Sequence, residues 1–149
     1  MQDLPHLYTV TASAAGNDNV ILASTGVSNI ESAGPPEFGG PGDVWSPEGL
    51  LVAAVADCFV LTFRAIARSA RLDWLTLECK ADGTLDKLDG MTQFTEFKVT
   101  AELLVPSGTN EKKAATLLQK AEKHCLITNS MKAASHLDAG VIVEGRDRP

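Results

Sequence analysis

The chain has 149 residues, of which 44% are hydrophobic and 21% are charged, a composition typical of a folded globular protein and not of a disordered or fibrous one. The net charge is -6, and all 13 Lys and Arg residues lie at Arg64 or later, so the basic surface of a nucleic-acid-binding protein is not expected. Three cysteines, an odd number, argue against a disulfide framework. The length predicts a single domain over residues 1–149.

The amino-terminal residues, MQDLPHLYTVTASA, lack the basic stretch and apolar core of a secretory signal, so we expect a cytosolic protein. Residues 7–12 (LYTVTA) and 19–24 (NVILAS) are rich in β-branched side chains and are separated by a Gly- and Asn-containing segment, which predicts an antiparallel strand pair. Residues 31–44 are rich in Gly and Pro and are predicted to form an irregular loop.

The stretch SPEGLLVAAVADCFVLTF, residues 46–63, predicts a long helix that ends near Ser69. Ser46 is suited to the N-cap, Pro47 to the first helical position, and Glu48 to the first turn, near the positive end of the helix dipole. The stretch is apolar nearly all round, so we expect a central helix that is buried on most of its faces. Its longest apolar stretch, residues 50–63, carries Asp57 and is shorter than the ~20 residues that span a bilayer, so a membrane helix is not expected.

The remainder of the chain alternates strands and helices. Residues 72–105 show the two-residue period of half-buried strands around an Asp-Gly turn, and predict a long β-hairpin. A second helix is predicted over residues 109–123, then a short third helix capped by Thr128 or Asn129, and a closing strand in AGVIVEG. The order of elements predicts an α+β fold.

The three cysteines differ in their surroundings. Cys79 alternates with apolar residues on a predicted strand and is interpreted as a core residue. Cys58 lies in an apolar helix, where a cysteine is more often a small hydrophobic residue than a reactive one. Cys125 follows His124 at a helix end, but no Cys-x-x-Cys or His-x-x-x-His spacing accompanies this pair, so no metal site is expected. Only tertiary packing could bring Cys58 and Cys125 together.

Two segments resemble the signatures of the OsmC/Ohr superfamily, the osmotically induced and organic-hydroperoxide-resistance proteins. SPEGLLVAAVADCFVLTF resembles the family's helix signature, in which a Pro-Glu start leads through an Ala-rich run to a Cys. AEKHCLITNSM is similar to the second signature, a Cys at a helix end followed by a further helix. By position, Cys58 matches the peroxidatic cysteine of the family, Cys125 the resolving cysteine and Glu48 the site glutamate.

The resemblance implies an OsmC-like fold in which antiparallel sheets wrap around a long buried central helix in an intertwined homodimer. It further implies a thiol peroxidase that reduces organic hydroperoxides. Cys58 would become a sulfenic acid and then a disulfide with Cys125, and a small dithiol such as a lipoyl group would reduce that disulfide. No cofactor, metal, nucleic acid or membrane is implied. The apolar side chains expected to line the substrate pocket are those of Val55, Phe59 and Phe63.

The chain departs from the family pattern in its charges. In the family an arginine from the amino-terminal region links the glutamate to the cysteine, but residues 1–63 contain no Lys or Arg. Glu48 and Cys58 lie roughly 15 Å apart along the helix and cannot touch. We therefore expect Glu48 either to face a basic group from outside residues 1–63, including one across a dimer interface, or to be solvated.

The missing arginine also affects the expected reactivity. Without a nearby cation, the pKa of Cys58 is expected to be about 8 or higher, because burial disfavours the thiolate. A second hypothesis for the function is consequently a binding protein that keeps the fold without efficient chemistry. Its ligand would be a small apolar or thiol-containing molecule.

Overall fold

The computed structural model describes residues 3–145, which form an α+β protein with two three-stranded sheets. The fold class predicted from the sequence is thus confirmed. The chain divides into two compact units, Met1–Leu51 and Val52–Pro149. The boundary between the units falls inside the first long helix, which has its first residues in the first unit and the remainder in the second.

The first unit holds a small antiparallel sheet in the order β1-β2-β3. The predicted strand pair is confirmed, although the first strand begins at Thr11 and not at residue 7. The third strand was not predicted, because its three residues adjoin the Gly- and Pro-rich segment and gain their regular backbone from pairing with the second. The elements are β1 (Thr11–Ser13), β2 (Val20–Ala23), β3 (Ile30–Ser32) and a 3₁₀ turn at Pro36–Phe38.

Helix α1 spans Pro47–Ser69, as the sequence predicts. Ser46 caps it, since its Oγ accepts a hydrogen bond of 3.0 Å from the backbone N–H of Gly49. One stripe of α1 is buried, and its members recur at every fourth residue: Val55, Phe59, Phe63 and Ala67. This stripe holds the helix in the core of the second unit.

The other faces of α1 are less buried than the sequence led us to expect. In the 18-residue apolar window of this helix, whose mean hydropathy is 2.0, only 22% of the residues are buried, and Leu61 is 43% exposed. The expectation of burial on most faces is therefore wrong for the single chain. By length and composition alone the 23-residue helix could also cross a membrane, so its apolar length does not exclude a bilayer. Among residues 3–145, much of this apolar surface is therefore left exposed.

The second unit contains a mixed sheet in the order β4-β5-β6, formed by β4 (Thr76–Leu88), β5 (Met91–Val105) and β6 (Ala134–Val143). The predicted hairpin is confirmed: β4 and β5 are antiparallel, and both turn residues, Asp89 and Gly90, have positive φ (51° and 81°). The implied all-antiparallel arrangement is wrong for β6, which pairs parallel to β5. Two helices carry the chain between these strands, and such a crossover returns it in the same direction.

The crossover consists of α2 (Glu111–Lys123) and the one-turn helix α3 (Leu126–Asn129). The predicted second helix is confirmed, with Asn110 as its N-cap. The predicted cap of the third helix is wrong, because Thr128 and Asn129 are its last residues and Cys125 is its N-cap. The backbone of Cys125 is extended (φ -66°, ψ 112°), which allows a new helical turn to begin directly after it. The closing strand also begins earlier than predicted.

The core of the second unit is built from one face each of α1, β5 and α2. Alternate residues of β5 are buried, and the rings of Phe63 and Trp74 pack edge to face with centroids 5.6 Å apart. The buried side chains of the strand and of the second helix are Phe97, Val99, Ala101, Leu103, Val105, Ala114, Leu117, Leu118 and Ala121.

Gly83 on β4 permits the close approach of α1 to the sheet. A Cβ at this position would lie 2.8 Å from both Val52 Cγ2 and Phe94 Cε1. Gly83→Ala is expected to lower the free energy of unfolding by about 1–3 kcal/mol, because the core would be overpacked. The matched control is Gly140→Ala on β6, where a Cβ would meet no atom within 4 Å. Urea denaturation of both variants is the measurement, and equal stability of the two would contradict this account of Gly83.

Candidate active site

Cys58 lies in the middle of α1 and is half-buried. Thr62, one helical turn later, places its Oγ1 3.8 Å from Cys58 Sγ, within hydrogen-bonding range for sulfur. This contact is local, because residues four positions apart in a helix lie on the same face. The neighbouring carboxylate of Asp57 is exposed.

Cys125 meets Cys58 across the core of the second unit. Its side chain is only 2% exposed, and it lies close enough to Cys58 that a hydrogen bond between the two side chains lowers the pKa of Cys58 and raises that of Cys125. Both cysteines are free thiols. Tertiary packing therefore brings together the two cysteines that the sequence singled out, one from the middle of a long helix and one from the cap of a short helix.

Several hydrogen bonds act on the pKa of Cys58. Burial raises this pKa, but the backbone N–H of Ile127, the Cys125 thiol, the Thr62 hydroxyl and the backbone N–H of Leu126 all lower it, and the net result is a lowered pKa. Donors of this kind stabilise a thiolate more than a thiol. The expectation from sequence considered only burial and the missing cation, so it omitted these donors. A hydroxyl-bearing residue four positions after the cysteine was the one available signal.

The pKa values of the other two cysteines are shifted upward. Burial raises the pKa of Cys125, the hydroxyl and backbone N–H of Thr128 lower it, and the hydrogen bond to Cys58 and the charge of that residue raise it. Burial and the charge of Cys125 raise the pKa of Cys79 to about 11. Of the three cysteines, Cys58 is therefore the one that loses its proton first. Cys125 stays protonated as the donor, and Cys79 is an un-ionised thiol on the sheet.

Glu48 lies in the first turn of α1 and is half-buried. Its Oε2 is buried and has no hydrogen-bond partner among residues 3–145. Within this part of the chain, the oxygen is neither solvated nor paired with a basic group. Of the two arrangements expected from the sequence, a basic group across a dimer interface is the one still open.

The other residues singled out in the sequence lie in the core or at the surface. Val55, Phe59 and Phe63 are 0%, 1% and 0% exposed and pack in the core of this structure. A pocket role for them stays a prediction. The side chain of His124 is exposed, and its backbone N–H caps α2. Among residues 3–145, no three His, Cys, Asp or Glu side chains are grouped so that they could hold a metal ion.

Comparison with known proteins relates this chain to one family. A profile of the OsmC-like proteins matches residues 40–139. The peroxiredoxin OsmC of Escherichia coli is 30% identical over 62% of this chain and 64% of that protein. An organic hydroperoxide resistance protein of Xanthomonas axonopodis pv. citri is 28% identical over 85% of this chain and 88% of its own length. An organic hydroperoxide resistance protein OsmC from Legionella pneumophila has a solved structure with a TM-score of 0.71, at 26% identity and with 92% and 98% of the two chains covered.

Proposed function

Since the chain belongs to the OsmC-like protein family, which includes peroxiredoxins and hydroperoxide-resistance proteins, we propose that it is a cysteine-based thiol peroxidase acting on organic hydroperoxides. The proximity of Cys125 to Cys58, which contributes to the lowered pKa of Cys58, is the observation that carries this proposal. A lowered pKa favours the thiolate of Cys58 as a nucleophile, and the neighbouring Cys125 is a second thiol that can capture the oxidised sulfur.

In the first step the Cys58 thiolate attacks the terminal oxygen of a hydroperoxide ROOH. The O–O bond breaks, the leaving alkoxide takes a proton to become the alcohol ROH, and Cys58 becomes a sulfenic acid. In the second step the Cys125 sulfur attacks the sulfenic sulfur, a disulfide forms, and the sulfenic oxygen leaves as water. A small dithiol, which we propose as the reductant, then reduces the Cys58–Cys125 disulfide and becomes a disulfide itself.

The charges of the site favour this order of events. While Cys58 is a thiolate, its charge contributes to the raised pKa of Cys125, so the second thiol stays protonated and donates its hydrogen bond. Conversion of Cys58 to a neutral sulfenic acid removes that charge. Cys125 then loses its proton more readily, at the stage when its sulfur must act as a nucleophile.

An apolar surface of α1 surrounds Cys58 and fits an alkyl hydroperoxide. Ala54 lies about one turn before Cys58 in α1, and Leu61 lies about one turn after it. At 100° per residue, their side chains project about 40° and 60° away from that of Cys58 around the helix axis. Both side chains are at least partly exposed. Such a surface binds an alkyl chain better than it binds hydrogen peroxide, because alkyl groups gain free energy when they leave water.

We propose a homodimer, with a second copy of the chain covering the exposed apolar face of α1. A second copy also offers a basic residue to the buried Oε2 of Glu48, which has no partner among residues 3–145. A bilayer is the other environment that the apolar length allows. Arg64 and Arg68 are exposed within the same helix and would be costly in lipid, so the protein partner is favoured.

We place the protein in the cytosol, where thiols are kept reduced.

Peptide mapping after a stoichiometric pulse of an organic hydroperoxide tests the cycle. The expected result is a Cys58–Cys125 disulfide with Cys79 still free, because the first two thiols are close enough to shift each other's pKa and burial raises the pKa of Cys79 to about 11. Cys79→Ala, the matched control, should form the same disulfide and keep its turnover. Loss of peroxide with all three thiols still free would refute the mechanism.

A weakly reactive binding protein is the second candidate, and the lack of any Lys or Arg in residues 1–63 favours it. It would hold an apolar or thiol-containing molecule on the face of α1 near Cys58. Native mass spectrometry of freshly purified protein separates the two functions. A retained apolar ligand, combined with thiols that survive the hydroperoxide pulse, would support binding over catalysis.

A further inference from the structure

Thr62 is placed to act directly on the sulfur of Cys58. Its Oγ1 lies 3.8 Å from Cys58 Sγ, on the same face of α1 and one turn closer to the carboxyl end. A threonine inside a helix commonly turns its hydroxyl to the carbonyl oxygen four residues earlier. Thr116 in α2 does so, donating to the carbonyl of Lys112 at 2.8 Å. In the part of the chain that the structure describes, the Thr62 hydroxyl has the sulfur as its hydrogen-bond partner instead.

The surroundings of Cys58 make this contact important. No Lys or Arg precedes Arg64 in the sequence, and no basic side chain among residues 3–145 contributes to the pKa of Cys58. The titratable side chain that faces its sulfur is Cys125, which approaches from the segment between α2 and α3. The remaining donors are two backbone N–H groups, those of Leu126 and Ile127. The site therefore holds its thiolate with neutral donors.

We propose that Thr62 is a positioning residue, whose hydroxyl donates a hydrogen bond to the Cys58 thiolate and so supplies part of the stabilisation that a cation would otherwise give. The inference rests on the proposed function, in which this thiolate is the nucleophile. The hydroxyl also holds the sulfur in one rotamer, because the contact is fixed by the i, i+4 geometry of the helix.

The donor is suited to a step in which the sulfur loses its charge. A hydroxyl can turn about its C–O bond, so it can donate to the thiolate and accept from a neutral thiol. The contact therefore survives both protonation states, while only the thiolate gains the full strength of a hydrogen bond to a charged acceptor. Removing the hydroxyl should consequently raise the pKa of Cys58 without dismantling the helix.

The test uses Thr62→Val, Thr62→Ser and the matched control Thr116→Val in the full-length protein. The alkylation rate of Cys58 by iodoacetamide is followed from mildly acidic to alkaline pH by peptide mass spectrometry. Thr62→Val is expected to shift the profile to higher pH by about half a unit to one unit, since a hydrogen bond of this kind contributes about that much. At pH values below the apparent pKa the rate should fall about three- to tenfold, with the alkaline plateau unchanged.

Thr62→Ser should restore the wild-type profile, because serine keeps the hydroxyl, and Thr116→Val should leave it unmoved. A Thr62→Val profile that overlays the wild type would overturn the proposal, as would a serine variant that shifts as far as the valine variant. Titration of thiolate absorbance in Cys79→Ala and Cys79→Ala/Thr62→Val gives a second reading that needs no reagent access. Alkylation does not involve peroxide, so these outcomes are independent of whether the peroxidase function holds.

Discussion

Cys58→Ser is expected to reduce the rate of organic hydroperoxide reduction by about 10³-fold or more, because it removes the one cysteine whose pKa is lowered and thereby the proposed nucleophile. Cys125→Ser should behave differently. It keeps the nucleophile, so the first oxidation continues, but the sulfenic acid has no partner in contact and persists or is oxidised further. The measurement is single-turnover peroxide loss, combined with trapping of the sulfenic acid by dimedone and mass spectrometry.

Each of these two variants removes a sulfur atom from the packed second unit. A control must therefore separate loss of chemistry from loss of folding. Cys79→Ala removes a half-buried sulfur from the same unit and should keep near wild-type turnover. A Cys58→Ser protein that still consumed hydroperoxide at the wild-type rate would exclude Cys58 as the nucleophile. Dimedone labelling at Cys125 in that variant would instead show that the roles of the two cysteines are reversed.

Leu61→Glu is expected to convert the dimer into a monomer or to make the protein insoluble. Leu61 is 43% exposed in the single chain and lies on the apolar surface of α1 that we propose a second copy covers. A glutamate there would have to be buried without a partner in the dimer, which costs several kcal/mol of association free energy, roughly a thousandfold or more in the dissociation constant. Sedimentation velocity at micromolar concentration is the measurement, with a dimer expected for the wild type.

The matched control is Leu88→Glu at the end of the β4–β5 hairpin, where the leucine is 51% exposed and ends the strand. This variant should sediment as the wild type does. A wild-type protein that remains a monomer would end the dimer proposal. Binding of that monomer to phospholipid vesicles, lost in Leu61→Glu, would indicate that a bilayer covers α1 instead.

Local sequence patterns correctly predicted the features whose conformation depends on a few adjacent residues. Ser46 caps α1 and Asp89-Gly90 turns the hairpin, as expected, because capping and positive φ depend on a few adjacent residues. Predictions failed where pairing partners decide the outcome. Strand β3 exists through its pairing with β2, and β6 takes its parallel direction from the crossover that precedes it. Neither partner is visible in a local window of sequence.

The candidate site shows the same division. The sequence by itself singled out Cys58, Cys125 and Glu48 as candidate site residues, because they lie in its motifs, and it determined that no Lys or Arg is available before Arg64. Only the tertiary structure decided that the Cys125 thiol and the N–H groups of α3 reach the sulfur of Cys58, and that these donors lower its pKa against the effect of burial. Helical periodicity fixes neighbours within one helix, such as Thr62, whereas contacts between distant segments depend on how the whole core packs.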